Sequence, residues 1–521
     1  MARRSASSRD QEEIFSFLAD PATFAGGAAV QRVDTHGAAV FLGGGEAYKV
    51  KRAVRFPFMD FSTLEKRRAA CEQEIVVNRD NAPGLYLGVV PIMRRPDGLA
   101  LGGAGEPVEW AVHMRRFDER ATLDRLADRG ELTREIADRL AEIVLAAHRR
   151  APLRDGEAAT RALESYLDQN EAAFASDPAL FDPVQARRLA AASRAALAAV
   201  RGLLVARGAA GHVRRCHGDL HLRNIALIEG APVLFDAVEF DDSIATGDVL
   251  YDLAFLLMDL EERGLRGLAN AILNRYLAAG DDAQLEGLLA LPIFLSLRSA
   301  IRAKVVAAGL VHLTGAASRR GADEARRYFR FAEAFLAPAP ARLLAVGGLS
   351  GTGKSRLAAE LAPGLGRTPG AVLLRSDVAR KRRFGVAETD RLPAAAYGAA
   401  TSGKIYEDLR RKAALALRAG QSVVLDAVHE RQADRAAAEG VAREVGASFC
   451  GLWLDAPLSV RLARVGARRG DASDADAAVV RAQDASPIEA GGWTRIDASG
   501  DLAAVRKIAE AALAVDARGP G

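Results

Sequence analysis

Residues 348–355 read GLSGTGKS, and this octapeptide limits what the chain can fold into more than any other segment. It fits the pattern G-x-x-x-x-G-K-[ST], follows the apolar run 343–346 directly and opens a stretch of helical periodicity. Strand, glycine-rich loop and helix in that order are what a phosphate cradle requires. Glycines let the backbone wrap an anion with its N–H groups pointing inward, and the helix N-terminus adds a favourable dipole. On this reading Gly348, Ser350, Gly351, Thr352 and Gly353 form the cradle, Lys354 neutralises the β- and γ-phosphates of ATP, and Ser355 binds Mg²⁺. Only nine of the 71 basic residues are lysine, so a lysine at this place is not routine surface solubilisation.

The Pro/Ala stretch 337–341, APAPA, reads as a linker between a domain of residues 1–336 and one of 342–521. After it, the apolar runs 343–346, 371–376, 422–426, 448–454 and 493–497 alternate with helical patterns, which predicts a doubly wound α/β fold with a mainly parallel sheet. In such a sheet the ligand sits beyond the carboxyl ends of the strands, where Asp377 and Asp426 stand. Asp377 suits a general base and Asp426 an aspartate that orders Mg²⁺ through water, while either also reads as a helix N-cap. Arg461, Arg464, Arg468 and Arg469 lie on and after a helix that breaks into a Gly/Asp/Ser stretch. They read as a lid whose arginines, Arg464 and Arg468 above all, stabilise a transferring phosphoryl group, or else as a solvated face. Most of 341–521 resembles the P-loop kinases of small molecules and polynucleotides, the group with gluconate kinase and chloramphenicol phosphotransferase. The resemblance implies a P-loop NTPase fold.

Ahead of the linker, strand-like pieces dominate to about residue 113, and long amphipathic helices such as 131–149 and 184–207 follow after about residue 119. A small β-rich lobe and a larger helical one are predicted. Residues 217–224 read HGDLHLRN, then come the apolar strand IALI, the turn EGAP and a strand VLF that ends at Asp236. A hairpin of this length returns Asp236 towards the loop holding Asp219 and Asn224. Asp219 can then accept the proton of an acceptor hydroxyl while Asn224 and Asp236 hold Mg²⁺; a polar turn beside a structural hairpin is the plainer reading. The pattern resembles the aminoglycoside phosphotransferase family, relatives of protein kinases in which HGD replaces HRD and a lone Asp stands for DFG, over roughly residues 30–335.

That resemblance implies an α+β bilobal protein-kinase-like fold with a strand lysine for the α/β-phosphates and a helical glutamate paired to it. Lys49 and Lys51 in AVFLGGGEAYKVK both qualify, with Lys49 preferred, and Glu74 is preferred to Glu72 as the partner. The hinge to adenine falls in VEWAVHMRRF, whose strand ends at about Met114. No G-x-G-x-x-G precedes the lysine, because Gly43, Gly44 and Gly45 belong to the turn of its own hairpin, so the loop over the phosphates is placed at 35–38.

Beyond Asp236, Glu239, Asp241 and Asp242 form an acidic patch that either attracts a cationic substrate or is a solvated loop. Asp248 and Asp252 lie one helical turn apart in an apolar helix, as do Arg298 and Arg302 in a later one, which reads as an Asp–Arg network or else as substrate or phosphate binding. The 521 residues are 50% hydrophobic and 26% charged with a net charge of only +4, so the chain folds as globular domains and nothing at this level demands nucleic acid or a membrane. Cys71, Cys216 and Cys450 are too scattered for a disulfide framework, which fits a cytoplasmic protein; MARRSASSRDQEEIF lacks the apolar core of a signal peptide, and no uncharged apolar run reaches 18 residues.

As a whole the tandem resembles bacterial fusions of an aminoglycoside-phosphotransferase-like domain with a P-loop domain. It implies an ATP- and Mg²⁺-dependent phosphotransferase with two nucleotide sites, acting on hydroxyl groups of small sugar-, polyol- or aminoglycoside-like metabolites. Two alternatives stand beside it: an ATP-binding regulatory protein with one inactive kinase-like domain, and a nucleic-acid 5′-hydroxyl kinase. The second conflicts with Asp471, Asp474 and Asp476, which follow the lid arginines and would repel a nucleic-acid backbone, and with an aromatic content of only 6%.

Overall fold

A run of strands, the central ones largely buried on both faces, builds the first sheet. Strands β1 (Val30–Asp34), β2 (Ala38–Gly43), β3 (Glu46–Lys51), β4 (Arg55–Phe56), β5 (Met59–Asp60), β6 (Tyr86–Arg95), β7 (Gly98–Leu101) and β8 (Glu106–Arg115) come first in the chain. Six of them form an antiparallel sheet in the order β1-β2-β3-β8-β6-β7, and β4 pairs with β5. Tyr48 and Val50 of β3 pack on one face with Ile14, Phe15 and Leu18 from the helix Ser7–Ala19. The period of two therefore turns Lys49 and Lys51 to the other face, which carries the helix Leu64–Asn78. Thr63 caps that helix by accepting from Lys66 N, and its buried stripe is Arg67, Ala70, Cys71, Glu74, Ile75 and Asn78.

The computed structural model describes residues 7–56, 59–468, 470–485 and 490–516. Its contacts divide the chain into two units, Met1–Ser165 with Leu204–Asp259, and Tyr166–Leu203 with Leu260–Gly521. The first unit continues with the amphipathic helix Arg134–Arg150 and the strands β9 (Val213–Arg215), β10 (Ile225–Ile228), β11 (Ala231–Leu234) and β12 (Thr246–Asp248). The hairpin β10–β11 turns through two residues, Glu229 (φ 51°) and Gly230 (φ 74°), rather than the four expected from EGAP. Positive φ at both central positions is the turn whose twist matches the flanking strands, and Pro232 is tolerated in so short a pair.

In the second unit β13 (Arg342–Gly348), β14 (Val372–Arg375), β15 (Val423–Asp426), β16 (Ser448–Asp455) and β17 (Thr494–Asp497) form a wholly parallel sheet in the order β14-β15-β13-β16-β17. The five strands match the five apolar runs, and the α/β expectation holds. Leu344, Val346, Val424, Leu452 and Ile496 pack against Leu357 and Leu361 of the helix Lys354–Leu361 and against Val505 and Ala509 of the helix Leu502–Asp516.

β14 is an edge strand, and an edge exposes unpaired N–H and C=O groups. The helix Arg266–Ala279 covers it: Asn274 Oδ1 accepts from Leu373 N at 2.7 Å, and Asn270 and Asn274 both donate to Ala371 O, at 3.0 and 3.1 Å. Two carboxamides thus stand in for the missing strand. The 337–341 stretch consequently lies inside the second unit, because the helices that precede it pack with the sheet that follows.

Among the described residues one helix, Pro183–Ala209, is long and apolar enough to cross a membrane by length and composition, with a mean hydropathy of 1.5 over its best window. Two of its arginines are nonetheless ion-paired, Arg188 with Glu333 and Arg194 with Asp168 and Glu171.

Asn274→Ala leaves the Leu373 N–H without its partner at a buried edge, which costs about 1–3 kcal/mol. Urea unfolding of the full chain should show the loss as an earlier transition; an unchanged midpoint would mean that the carboxamide contributes nothing.

Candidate active sites

In the first unit Lys49 Nζ lies 2.8 Å from Glu74 Oε1 and 2.6 Å from Asp236 Oδ1, so β3, the helix Leu64–Asn78 and the end of the β10–β11 hairpin meet at one ammonium. Lys51 pairs with the other Glu74 oxygen at 2.5 Å and with Glu239. Glu72 points outward to Arg68, which settles the helical partner as Glu74. Burial pulls the Lys49 ammonium down, but Asp236 and Glu74 outweigh it and hold the group well above the ordinary lysine value. Desolvation likewise raises the Asp236 carboxyl, and Lys49 brings it below the usual aspartate range.

Asp236 itself sits at φ 59°, a strained conformation for a residue with a side chain. Its N–H donates to Tyr86 Oη at 3.0 Å, and the next N–H, of Ala237, donates to Asn78 Oδ1 at 2.9 Å. Asn224 Nδ2 donates to Asp219 Oδ2 and to Asp219 O, both at 3.0 Å, and His221 Nε2 stands 3.3 Å from Asp219 Oδ2. Beneath the loop, Asp252 accepts from Gly218 N at 2.8 Å and lies 3.1 Å from His148 Nε2. His148, Cys216 and Asp252 bring metal-ligand atoms within 4.8 Å of one another, with one Asp252 oxygen already accepting from the loop and the other on His148. Met114 is one residue short of the end of β8, opposite Ala47 and Tyr86, and residues 35–38 form the β1–β2 turn, where Thr35 Oγ1 accepts from Ala38 N at 3.0 Å.

Two expectations change here. The acidic patch is neutralised from within, Glu239 by Lys51 and Asp242 by Arg215 and Arg154, while Asp241 caps a short helix, so it offers little free charge to a cation. Asp248 takes its charge partner from the helix Pro183–Ala209, where Arg207 reaches it at 2.6 and 2.8 Å.

In the second unit the loop between β13 and the helix Lys354–Leu361 leaves no room for side chains at Gly348 and Gly351. A Cβ would meet Leu454 O at 2.5 Å and Arg461 O at 2.6 Å, and both residues have positive φ. Gly353, also at positive φ, precedes the helix as its cap, and Ser355 stands in the first turn. Ser350 N donates to Gln483 Oε1, Thr352 Oγ1 to Leu349 O, and Lys354 Nζ folds back to Leu349 O at 2.9 Å. Burial lowers the Lys354 ammonium, against the pull of Asp426 and Asp377. Burial and then the neighbouring Asp426 raise the Asp377 carboxyl. Asp426 ends β15 and accepts from Arg375 Nε at 3.3 Å, and Arg375 Nη2 reaches Asp471 at 3.1 Å.

The lid arginines divide. Arg461, 2% exposed, donates to Ser350 O and Val480 O and pairs with Asp484, and Arg464 donates to Thr352 O, Ala498 O and Gly500 O. Both brace the loop from carbonyls rather than standing as a solvated face. Arg468 pairs with Asp471, and Arg469 lies outside the described residues. The acidic stretch is equally engaged: Asp471 with Arg375, Asp474 with Lys381, Tyr397 Oη and Leu392 N, and Asp476 with Arg391. The repulsion of nucleic acid expected from these carboxylates therefore loses its ground.

Residues 89–288 match the model of the phosphotransferase enzyme family and residues 343–487 that of an AAA domain. Uncharacterized proteins of Mycobacterium tuberculosis (strain ATCC 25618 / H37Rv) and Mycobacterium bovis are each 31% identical over 476 residues, which cover 90% of this chain and 92% of theirs. The chain belongs to their family. It is a phosphotransferase-type, kinase-like module joined to a P-loop module. Among solved structures, a choline/ethanolamine kinase family protein from Mesorhizobium loti is 14% identical over 63% of this chain and 95% of its own, with a TM-score of 0.37. A gluconokinase from Sinorhizobium meliloti 1021 is 19% identical over 34% of this chain and 94% of its own, with a TM-score of 0.25.

Several residues at these sites carry no motif. Tyr86 and Asn78 fix the backbone after the hairpin, and His148 lies on the buried stripe of the helix Arg134–Arg150, where its spacing from Leu140, Ala141 and Val144 reads only as core. His429 is held at φ 50° between Tyr406 and Trp493, and burial depresses its imidazole to about 3, so the ring is neutral.

Glu74→Ala removes the carboxylate that Lys49 and Lys51 share, leaving each ammonium with one partner, and should cost about 1–3 kcal/mol in denaturant unfolding. For Asp377 the folded chain holds its proton to higher pH than the unfolded chain. Between those two midpoints the unfolded state binds fewer protons, so stability falls as pH rises. A carboxyl titration by NMR should place Asp377 above the ordinary aspartate range, and Asp426→Asn should move it down; a midpoint that ignores Asp426 would refute the coupling.

Proposed function

We propose that the chain is an ATP- and Mg²⁺-dependent phosphotransferase with two nucleotide sites, each passing the γ-phosphoryl group to a hydroxyl of a small metabolite. The observation that carries this reading is the meeting of Lys49, Glu74 and Asp236 beside an Asp219 that is held by Asn224. Asn224 spends its amide nitrogen on Asp219, which leaves its oxygen, with the Asp236 carboxylate, as hard ligands suited to Mg²⁺. The close approach at Gly348 and Gly351 suits a backbone that wraps phosphate. Bound Mg²⁺–ATP supplies the phosphoryl group and the cation that screens its charge.

The chain's own residues do the rest. Asp219 orients the acceptor hydroxyl and takes its proton, helped by the backbone brace from Asp252. Lys49, fixed by Glu74, faces the phosphates. In the second site Lys354 and Ser355 would serve nucleotide and ion, Asp426 would order the ion's water, and the Asp377 carboxyl, raised by burial and by Asp426, suits a general base. Arg468 supplies positive charge to the transferring group, while Arg464 keeps the loop in shape. A small acceptor is favoured because 471–476 folds back over the carboxyl end of the sheet through Arg375, Lys381 and Arg391, roofing the site against a polymer.

Asp219→Asn should lower turnover at the first site by about 10²–10⁴-fold while nucleotide binding persists. Lys354→Ala should remove one of two ATP sites in equilibrium titration. ADP release measured against a panel of hydroxylated metabolites tests the acceptor class. Label transfer to 5′-hydroxyl oligonucleotides that depends on Asp377 would overturn it in favour of an end kinase.

A further inference from the structure

Behind the strand that delivers Asp377 lies a cavity of about 630 Å³, within the range of pockets that enclose small organic molecules. One wall is the outer edge of β14, and the others come from Leu277 and Leu285 on one side and from Ile405 and Leu409 of the helix Ala399–Arg418 on the other. No residue of the 348–355 loop lines it, so it is separate from the phosphate cradle.

The interior is apolar, and the charges at its rim are unequally matched. Lys412 pairs with Asp408 at 3.0 Å, and Arg411 pairs with Asp282 and Asp408 at 2.5 and 2.7 Å. Arg383 and Lys404 also line the cavity, are exposed, and pair with no carboxylate among the described residues; against them, among the described lining residues, stands one unpaired carboxylate, Asp281. The rim therefore keeps a cation in excess over an apolar floor. Arg375 lines the cavity too, with its guanidinium on Asp426 and Asp471, so an occupant touches the side chain that braces the second site.

We propose that this cavity is a binding site for a small organic anion with an apolar body, held by Arg383 and Lys404 at the rim. Its chemistry separates it from a nucleotide site, since the glycines of 348–355 do not line it and the carboxamide in its wall, Asn274, is spent on the edge of β14. The claim does not depend on phosphoryl transfer.

The test uses the full chain with saturating ATP and Mg²⁺, which occupy any nucleotide sites, and titrates anilinonaphthalene sulfonate by fluorescence. Saturable binding of one probe per chain is expected. The charge reversals Arg383→Glu and Lys404→Glu together should weaken it by about tenfold or more. Uncharged N-phenyl-1-naphthylamine should bind more weakly than the sulfonate, and Ala278→Trp, which fills the cavity, should abolish binding. Both rim substitutions lie on the surface and leave the core intact, so they decide the matter even if Ala278→Trp fails to fold. Absence of saturable binding in the presence of ATP, or sulfonate binding that the double variant leaves unchanged, overturns the proposal.

Discussion

An ammonium withdrawn from water has to be held by carboxylates, and the first unit is organised around two such groups. Lys49 and Lys51 leave the same face of β3, and Glu74 takes one with each oxygen. Asp236 and Glu239 complete the cluster from the segment after the β10–β11 hairpin. Two cations face three carboxylates here, so the cluster keeps one negative charge, and Asp219 adds to it at close range. Such a balance suits a divalent cation beside Asp236. It also explains why elements far apart in sequence converge, since the two withdrawn ammonium groups draw carboxylates both from the helix Leu64–Asn78 and from the segment after the hairpin.

The second unit handles charge differently. Its cradle gains closeness from glycine, and its arginines turn inward. Arg461 and Arg464 spend their donors on carbonyls of the loop and of its neighbours, which fixes the curvature of the backbone rather than its electrostatic potential. Arg375 ties Asp426 to Asp471 and so ties the sheet to the segment above it. A guanidinium can do this because its fork of donors serves two carboxylates at once. The same segment is anchored again by Asp474, which accepts from Lys381, Tyr397 and Leu392 N.

Much of the layout was legible in the residues because it follows from periodicity. Five apolar runs gave five parallel strands, and the position of Asp236 after a hairpin survived even though the turn is shorter than expected. Glu72 and Glu74 are two apart on one helix, so spacing from the lysine could not choose between them; the choice came from which one joins the stripe of Arg67, Ala70, Cys71 and Ile75. The arginines near 461–469 read as a lid because charge is visible in a sequence and backbone carbonyls are not. The acids at 471–476 read as free charge for the same reason, since their partners Arg375, Lys381 and Arg391 come from about 80 to 100 residues earlier.

Asn270 and Asn274 show where the division into modules and the division into folded units part company. The family match to the kinase-like module runs to residue 288, yet the chain from Leu260 onward packs with the P-loop sheet. The cause is local and physical. A five-stranded parallel sheet ends in β14, whose outer N–H and C=O groups need partners, and a pair of asparagines one helical turn apart provides them. Because β14 runs straight into Ser376 and Asp377, the helix that closes the edge also fixes where that carboxylate stands. A segment matched to one module thus packs as part of the other's scaffold, and the stretch 337–341 lies between two portions of a single unit.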